Sequence, residues 1–273
     1  MANTNGAALK RFRTLDEDLL IEGDNLAVLP TLPDGAFDLI YIDPPFNTGR
    51  AQVRGDHRYD DDFDDYLEFL RPRLEHARRL LAEHGTLYVH LDPRESHYVK
   101  VMLDELFGRG CFLNEIVWAY DYGGRTKRRW PAKHDTILVY VRDRDRYWFD
   151  AEEVDREPYM APGLQRDAER VARGKLPSDT WWHTIVPTTS REKTGYPTQK
   201  PEGIVRRMVA ASSRPGGWCL DFFAGSGTLG AVCAKLGRRY VLVDSNPEAI
   251  RITRERLARI DAPDEGVIDN ADR

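Results

Sequence analysis

The residues whose types and spacing could do chemistry are Asp43, Pro44, Pro45 and Phe46, which follow an apolar run at Phe37–Ile42. The run predicts a buried strand, and the prolines end it because they donate no backbone hydrogen bond. Open α/β sheets bind ligands at the carboxyl ends of their strands, where Asp43 would lie. A carboxylate, fixed carbonyls and a ring suit a planar group that carries an NH2. Because Asp-Pro-Pro is also a common turn, this stretch alone leaves a structural role open.

A second stretch, residues 218–244, predicts a strand, a glycine turn, a helix and another strand that ends in an acid. Glycines let the backbone approach a ligand closely, and the amino terminus of the helix lies directly behind this turn. Asp244, at the end of the second strand, can accept hydrogen bonds from both hydroxyls of a ribose. These features indicate a site for a nucleoside cofactor.

Two kinds of cofactor fit this second stretch. Residues 225–230 satisfy the dinucleotide pattern G-x-G-x-x-G, and Asp244 follows at about the expected spacing, so an NAD-dependent dehydrogenase is a rival hypothesis. However, the motif leaves no second mononucleotide half after it. Asp221 would repel a pyrophosphate but suits a cationic amino-acid group. A dehydrogenase would also leave the stretch around Asp43 unexplained.

Three motifs of the chain resemble those of the amino-methyltransferases of DNA. Asp43–Phe46 is similar to their motif IV, Asp221–Thr228 to their motif I, which binds S-adenosylmethionine, and Thr198–Pro201 to their motif X. The order of catalytic motif, variable region and cofactor motif is that of the β group of this family. The resemblance covers roughly residues 19–260.

The resemblance implies an α/β fold: a Rossmann-like, S-adenosylmethionine-dependent methyltransferase sheet that is circularly permuted and carries an inserted target-recognition region. Both halves of the site would then lie at the carboxyl ends of adjacent strands. The expected segments are a flexible leader at 1–18, a catalytic half at 19–141 with a basic loop at 121–135, the inserted target-recognition region at 142–195, a cofactor-binding half at 196–262 and a tail at 263–273.

The resemblance also assigns roles to individual residues. Asp43 and the Pro44 carbonyl would accept the hydrogens of the target amino group, and Phe46, beside Pro45, would stack on the base. The cofactor-binding residues would be Asp24, Thr198, Lys200, Asp221, Phe223, Ala224, Gly225, Ser226, Gly227, Thr228 and Asp244. An Asp at the first position of motif IV favours adenine N6 over cytosine N4 as the target. Methyltransferases of RNA or of a protein amide are more distant alternatives.

The densest basic patch lies in the loop 121–135, where four of the five positions 125–129 are basic and Trp130 follows. A flexible, basic and aromatic loop suits phosphate contacts and base stacking, although charge runs are often only solvated. The expected DNA-binding residues are Arg125, Lys127, Arg128, Arg129 and Lys133.

Other elements are expected to support these motifs. Helical spacing predicts a helix over 66–84 that ends at Gly85, and residues 47–62 are predicted to form a mobile loop over the site. His90 and Asp92 are expected to support a neighbouring loop. The two adjacent tryptophans, Trp181 and Trp182, are expected to anchor the insertion to the main core.

Composition indicates a globular protein and not a membrane protein. The 273 residues are 41% hydrophobic and 31% charged, without an apolar run of the ~18 residues that a membrane span needs. The three cysteines show no paired metal spacing, so we expect buried thiols, no metal site and, without an apolar signal segment, a cytoplasmic protein. The net charge of −5 does not itself indicate nucleic acid. The resemblance nevertheless implies double-stranded DNA as a partner, with a homodimer and a cognate restriction endonuclease as further partners to test.

Overall fold

A computed structural model describes residues 14–48 and 63–261, together with the backbone of 52–54 and 57–59. Its main feature is an eight-stranded sheet, and a separate antiparallel hairpin is formed by β3 (Gln52–Arg54) and β4 (His57–Tyr59). The strands of the large sheet are β1 (Leu19–Glu22), β2 (Phe37–Ile42), β5 (Leu81–Leu91), β6 (Phe112–Ala119), β7 (His134–Val141), β8 (Thr180–Trp182), β9 (Trp218–Asp221) and β10 (Arg239–Asp244). Their order across the sheet is β1-β10-β9-β2-β5-β7-β6-β8. Strand β7 is antiparallel to both neighbours, and the other pairs are parallel.

Helices cover both faces of the sheet. They are α1 (Asn25–Val28), α2 (Tyr66–Leu80), α3 (Ser96–Phe107), α4 (Ala168–Arg173), α5 (Glu202–Ser212), α6 (Thr228–Lys235) and α7 (Pro247–Asp261). Side chains alternate between the faces along a strand, so Ile40 and Ile42 of β2 join the core beneath α2 and α3. Leu39 and Tyr41 of the same strand join the core beneath α5 and α6. Because both faces are buried, β2 is a continuous apolar run, as parallel strands usually are.

Strand β9 lies directly beside β2, although the two strands are far apart in the sequence. Cys219 is paired with Leu39 and Leu220 with Ile40, in parallel. The expected adjacency of the two halves of a permuted methyltransferase sheet is therefore confirmed. It places the carboxyl ends of β9 and β2 next to each other.

Part of the expected insertion at 142–195 joins the large sheet. Strand β8 pairs in parallel with β6, and Trp181 is buried in the core beneath α5 and α6. The indole N–H of Trp181 donates to the carbonyl of Ser178 at 2.7 Å. The prediction of an anchoring tryptophan is thus confirmed for Trp181, whereas Trp182 is 75% exposed.

The ends of the chain differ in part from expectation. Asp18 accepts hydrogen bonds from the side chain of Arg239 at 2.8 Å and from the backbone N–H of Tyr240 at 3.0 Å. Residues 14–18 are therefore held against the sheet, while residues 1–13 of the expected leader and the expected tail at 263–273 lie outside the described residues. Of the predicted loop 47–62, the side chains from 49 onward also lie outside them. No helix within 14–48 or 63–261 is long and apolar enough to span a membrane.

The predicted end of the helix over 66–84 is wrong. Helix α2 ends at Leu80, and β5 begins at Leu81, which pairs with Phe37. The apolar spacing continues past the end of the helix because Leu81 is buried by strand pairing and not by helix packing. Gly85 is no helix cap, since it lies within β5. A Cβ at this position would lie 2.7 Å from the carbonyl oxygen of Phe37 and 3.0 Å from that of Ala82.

We expect Gly85→Ala to lower the free energy of unfolding by about 1–3 kcal/mol, because the added methyl group meets backbone atoms that cannot rotate away. The matched control is Gly110→Ala, where a Cβ would meet nothing within 4 Å and where the expected change is within about 0.5 kcal/mol. Urea unfolding of both variants measures the difference. Equal stabilities of the two variants would contradict the close packing at Gly85.

Candidate active site

A pocket of about 350 Å³ opens at the carboxyl ends of β10, β9 and β2. It brings together the predicted catalytic and cofactor residues from both ends of the chain. Those that line it are Asp24, Asp43, Pro44, Pro45, Phe46, Thr198, Lys200, Asp221, Phe223, Ala224, Gly225, Ser226, Thr228 and Asp244. Gly227 lies behind the pocket, in a left-handed conformation with φ 70°, and a Cβ there would lie 2.5 Å from Thr253 Cγ2.

Asp43 and Lys200 form an ion pair at the centre of the pocket. The Lys200 ammonium donates to Asp43 Oδ2 at 2.5 Å and lies 4.7 Å from the centre of the Phe46 ring. The other carboxylate oxygen, Asp43 Oδ1, is buried and has no hydrogen-bond partner among the described residues. One oxygen is therefore held by a cation, while the other is an acceptor that no donor among the described residues satisfies. Lys200, which is predicted to help hold a cofactor, also contacts the predicted catalytic carboxylate.

The backbone of the Asp43–Phe46 stretch is fixed by contacts that the sequence did not predict. The Tyr66 hydroxyl donates to the carbonyl of Pro45 at 2.7 Å. Asn47 is left-handed, with φ 53°, and its amide donates to Glu95 Oε1 at 2.8 Å. The backbone N–H of Phe63 donates to Asn47 Oδ1 at 3.0 Å. Asn tolerates left-handed backbone better than most residues. Its place directly after Phe46, at a predicted turn, could have indicated this conformation from the sequence.

Asp244 holds the glycine turn in place. Its two carboxylate oxygens accept from the backbone N–H groups of Gly225 at 2.7 Å and Asn246 at 2.8 Å. On the other side of the turn, the hydroxyl of Thr228 donates to the carbonyl of Lys200 at 3.1 Å, which ties the turn to the segment that carries this lysine. The turn is therefore held in one conformation.

The acids of the pocket favour a cationic ligand. Burial raises the pKa of Asp221 well above its usual value, and the charges of Asp43 and Asp244 raise it further. The backbone N–H of Phe223 and the charge of Lys200 act in the opposite direction. Burial also raises the pKa of Asp244, against hydrogen bonds from three backbone N–H groups. A positive charge placed in the pocket would relieve the repulsion among these carboxylates.

Asp24 lies at the amino-terminal end of α1 and at the wall of the pocket. It caps α1, accepting from the backbone N–H of Leu26 at 3.1 Å, and it lines the pocket. Arg73, on α2, lines the same pocket and approaches Asp24 Oδ1 to 3.8 Å.

The basic loop lies outside the pocket. Arg125, Lys127, Arg128 and Arg129 are exposed, as is the Trp130 side chain at 93%. Within the described part of the chain, none of these four cations makes an ion pair with a carboxylate.

Lys133 differs from the rest of the predicted phosphate-binding set. Its ammonium donates to the backbone carbonyls of Tyr122 at 2.8 Å and Gly123 at 3.0 Å. These contacts close the base of the loop, and only 25% of the side chain is exposed. The structure therefore gives Lys133 a loop-closing position, and phosphate binding by this residue stays a prediction.

The sequence is similar to those of DNA-modifying enzymes. The model of a family described as DNA methylase matches residues 37–255. The chain is 33% identical over 238 residues to type II methyltransferase M.HpaI of Haemophilus parainfluenzae, across 87% of this chain and 73% of that protein. It is 30% identical over 247 residues to DNA adenine methyltransferase YhdJ of Escherichia coli strain K12, across 87% of this chain and 82% of that protein.

Solved structures show the same fold. PvuII DNA methyltransferase (cytosine-N4-specific) matches with a TM-score of 0.65 and 15% identity, over 86% of this chain and 84% of that one. The complex of M1.HpyAVI with SAM matches with a TM-score of 0.61 and 20% identity, over 88% of this chain and 98% of that one. At these identities the likeness supports the fold alone.

Proposed function

Because this chain belongs to the N6/N4 DNA methylase family, we propose that it transfers a methyl group from S-adenosylmethionine to the exocyclic amino group of a flipped base in duplex DNA. The observation that carries the proposal is the available acceptor Asp43 Oδ1, held beside the buried carboxyl of Asp221 at the ends of two adjacent strands. The favoured target is adenine N6, and the alternative is cytosine N4.

The geometry of Asp43 suits the activation of an exocyclic amine. Such an amine is a poor nucleophile because its lone pair is delocalised into the ring. Acceptors such as Asp43 Oδ1 and the Pro44 carbonyl, placed out of the plane of the base, favour a pyramidal nitrogen and so localise the lone pair. Positioning and electrostatic preorganisation then lower the barrier to transfer. The N–CH3 bond would form as the S–CH3 bond of S-adenosylmethionine breaks and S-adenosylhomocysteine leaves. The amine would lose one proton, for which Asp43 is the proposed acceptor.

The other half of the pocket fits S-adenosylmethionine, which supplies a methyl group carried on a sulfonium. Asp221 and the turn that follows it would hold the cationic methionine part, and Asp244 would accept from the ribose hydroxyls. The buried acids favour such a cation, whereas they would repel the pyrophosphate of NAD. Membership of a DNA methylase family likewise excludes the dehydrogenase hypothesis.

The DNA would meet the basic loop and the inserted region. A base inside a duplex must leave the stack before its amine can reach Asp43, which costs a few kcal/mol. Stacking on Phe46 would recover part of this cost. Arg125, Lys127, Arg128 and Arg129 are free to contact phosphates, and Trp130 is free to stack on a base. M.HpaI is named a type II methyltransferase; a restriction endonuclease partner and a homodimer stay predictions for this chain.

The choice of adenine depends on two observations. Motif IV of this chain begins with Asp43, and YhdJ, which is 30% identical to it, is named a DNA adenine methyltransferase. Cytosine N4 stays the alternative because cytosine offers a similar amine beside a ring nitrogen.

Nucleoside mass spectrometry tests the proposed function. DNA incubated with the protein and S-adenosylmethionine is expected to contain N6-methyladenine. Asp43→Ala is expected to reduce its formation by about 10²–10³-fold, because the acceptor that localises the lone pair is lost. The affinity of this variant for S-adenosylmethionine, measured by calorimetry, is expected to stay within about threefold of the wild type. N4-methylcytosine would overturn the choice of base. Undiminished transfer by Asp43→Ala would contradict the assignment of the catalytic residue.

The affinity for S-adenosylmethionine is expected to increase with pH below about pH 7, where the amino group of the ligand stays protonated. The pKa of Asp221 is raised in the free protein, and a bound cation lowers it, so binding releases a proton and strengthens as the carboxyl ionises. Calorimetry in buffers of different ionisation enthalpy counts this proton. In Asp221→Asn, affinity should be lower and its pH dependence weaker. A wild-type affinity that does not change with pH would contradict the role of Asp221.

A further inference from the structure

A buried chain of hydrogen bonds runs behind the pocket and has no part in the chemistry described above. The Tyr41 hydroxyl lies 3.0 Å from His90 Nδ1, and His90 Nε2 lies 3.1 Å from Asp135 Oδ2. The Tyr120 hydroxyl donates to Asp135 Oδ1 at 2.9 Å. His90 is completely buried, and the other three members of this hydrogen-bond chain come from two other strands and a loop.

One arrangement of protons satisfies every member of this chain. Burial and the charges of Asp43, Asp221 and Asp135 raise the pKa of Tyr41 well above its usual value, so its hydroxyl keeps its proton and donates to His90 Nδ1. The His90 proton then lies on Nε2 and is donated to Asp135. Burial raises the pKa of Asp135, but hydrogen bonding by His90, the charge of Lys200 and the Tyr120 hydroxyl lower it, leaving a carboxylate.

One end of this hydrogen-bond chain reaches the pocket that Asp43 lines. Tyr41 lines the pocket and lies in β2, two positions before Asp43, which directly follows the strand. The His90 ring lies behind Phe46, with 6.0 Å between ring centres, and the Trp118 ring packs edge-on against His90 at 5.5 Å. His90 therefore supports the aromatic ring on which the flipped base would stack.

At the other end, the chain reaches the base of the basic loop. Tyr120 directly precedes the loop and Asp135 closes it, and the backbone N–H of Tyr120 donates to the carbonyl of Lys133 at 3.0 Å. Both ends of the loop are thus joined at Asp135, which accepts from His90. A displacement of the loop by bound DNA would act on His90 through two hydrogen bonds.

We infer, on the basis of the proposed function, that His90 is a positioning residue for the target base. It holds Tyr41 and Phe46 in place and links them, through Asp135 and Tyr120, to the loop that contacts the DNA backbone. Phosphate contact at the loop and seating of the base are therefore coupled.

Two single-hydroxyl deletions test this inference, one at each end of the chain. Tyr41→Phe removes the contact with His90 at the pocket, and Tyr120→Phe removes the contact with Asp135 at the loop. We expect each to lower kcat about tenfold, the effect of losing roughly one buried hydrogen bond from the transition state, while KM for S-adenosylmethionine changes less than about twofold. In DNA with 2-aminopurine at the mapped target position, both should reduce the fluorescence gain that accompanies base flipping.

The matched control is Tyr88→Phe. Tyr88 is the register partner of Tyr41 on β5, and its hydroxyl makes a 2.7 Å hydrogen bond with Ser212 in the same core, away from the pocket lining. This variant loses an equally buried hydroxyl contact, so it should share any loss of thermal stability but keep the wild-type kcat and fluorescence. His90→Phe, which keeps a ring behind Phe46, should lower kcat more than Tyr41→Phe.

The outcomes separate the inference from the proposed function. Wild-type kcat and fluorescence in Tyr41→Phe and Tyr120→Phe, or losses equal to those of Tyr88→Phe, would overturn the positioning role of His90. These two variants decide the matter even where His90→Phe fails to fold. A wild-type protein that methylates no DNA would instead overturn the proposed function.

Discussion

The parallel pairing of β9 with β2 is the constraint on which the site depends. It places Asp221, at the end of one strand, beside the segment that carries Asp43, at the end of the other. Neither strand end would form the proposed site by itself, since the proposal assigns the acceptors for the base to one strand end and the turn for the cofactor to the other. The pairing also buries carboxyl groups close to one another, which raises the pKa of Asp221. Lys200 offsets part of this charge by pairing with Asp43, and a cationic ligand would offset more.

Preorganisation is the second property of the site. The acceptors around Asp43 are fixed by the Tyr66 hydroxyl and by Asn47, and the glycine turn is fixed by the Asp244 carboxylate. Groups held in this way need little rearrangement as charge develops in a transition state. The contacts that hold them come from helices, strand ends and the turn itself, so the scaffold and the site share the same residues.

Much of the site could be predicted because its residues are contiguous. Asp43–Phe46 and Asp221–Thr228 are short motifs at strand ends, and local pattern predicts both the strand and the turn that follows it. The chain of hydrogen bonds through Tyr41, His90 and Asp135 could not be predicted from contiguous residues. Its members lie in three strands, and only the sheet order β2-β5-β7 makes them neighbours.

Lys133 and Gly85 differ from expectation because each makes contacts that the local sequence pattern does not show. Lys133 has the charge of a phosphate-binding residue, but the loop folds back so that its ammonium donates to two backbone carbonyls. Gly85 stands where a helix cap would stand, but strand pairing at Leu81 has already ended the helix. In both cases a contact outside the local sequence pattern decided the outcome: one within the folded loop for Lys133 and one with β2 for Leu81.

The most direct test of the account is a crystal structure of the protein with S-adenosylhomocysteine, the product of methyl transfer. The account predicts the sulfur between Asp43 and the turn after Asp221, the ribose hydroxyls on Asp244, and Lys200 still paired with Asp43. A ligand carboxylate that displaces Asp43 from Lys200, or a ribose bound away from Asp244, would contradict it. A ligand outside the pocket would contradict the union of the two strand ends in one site.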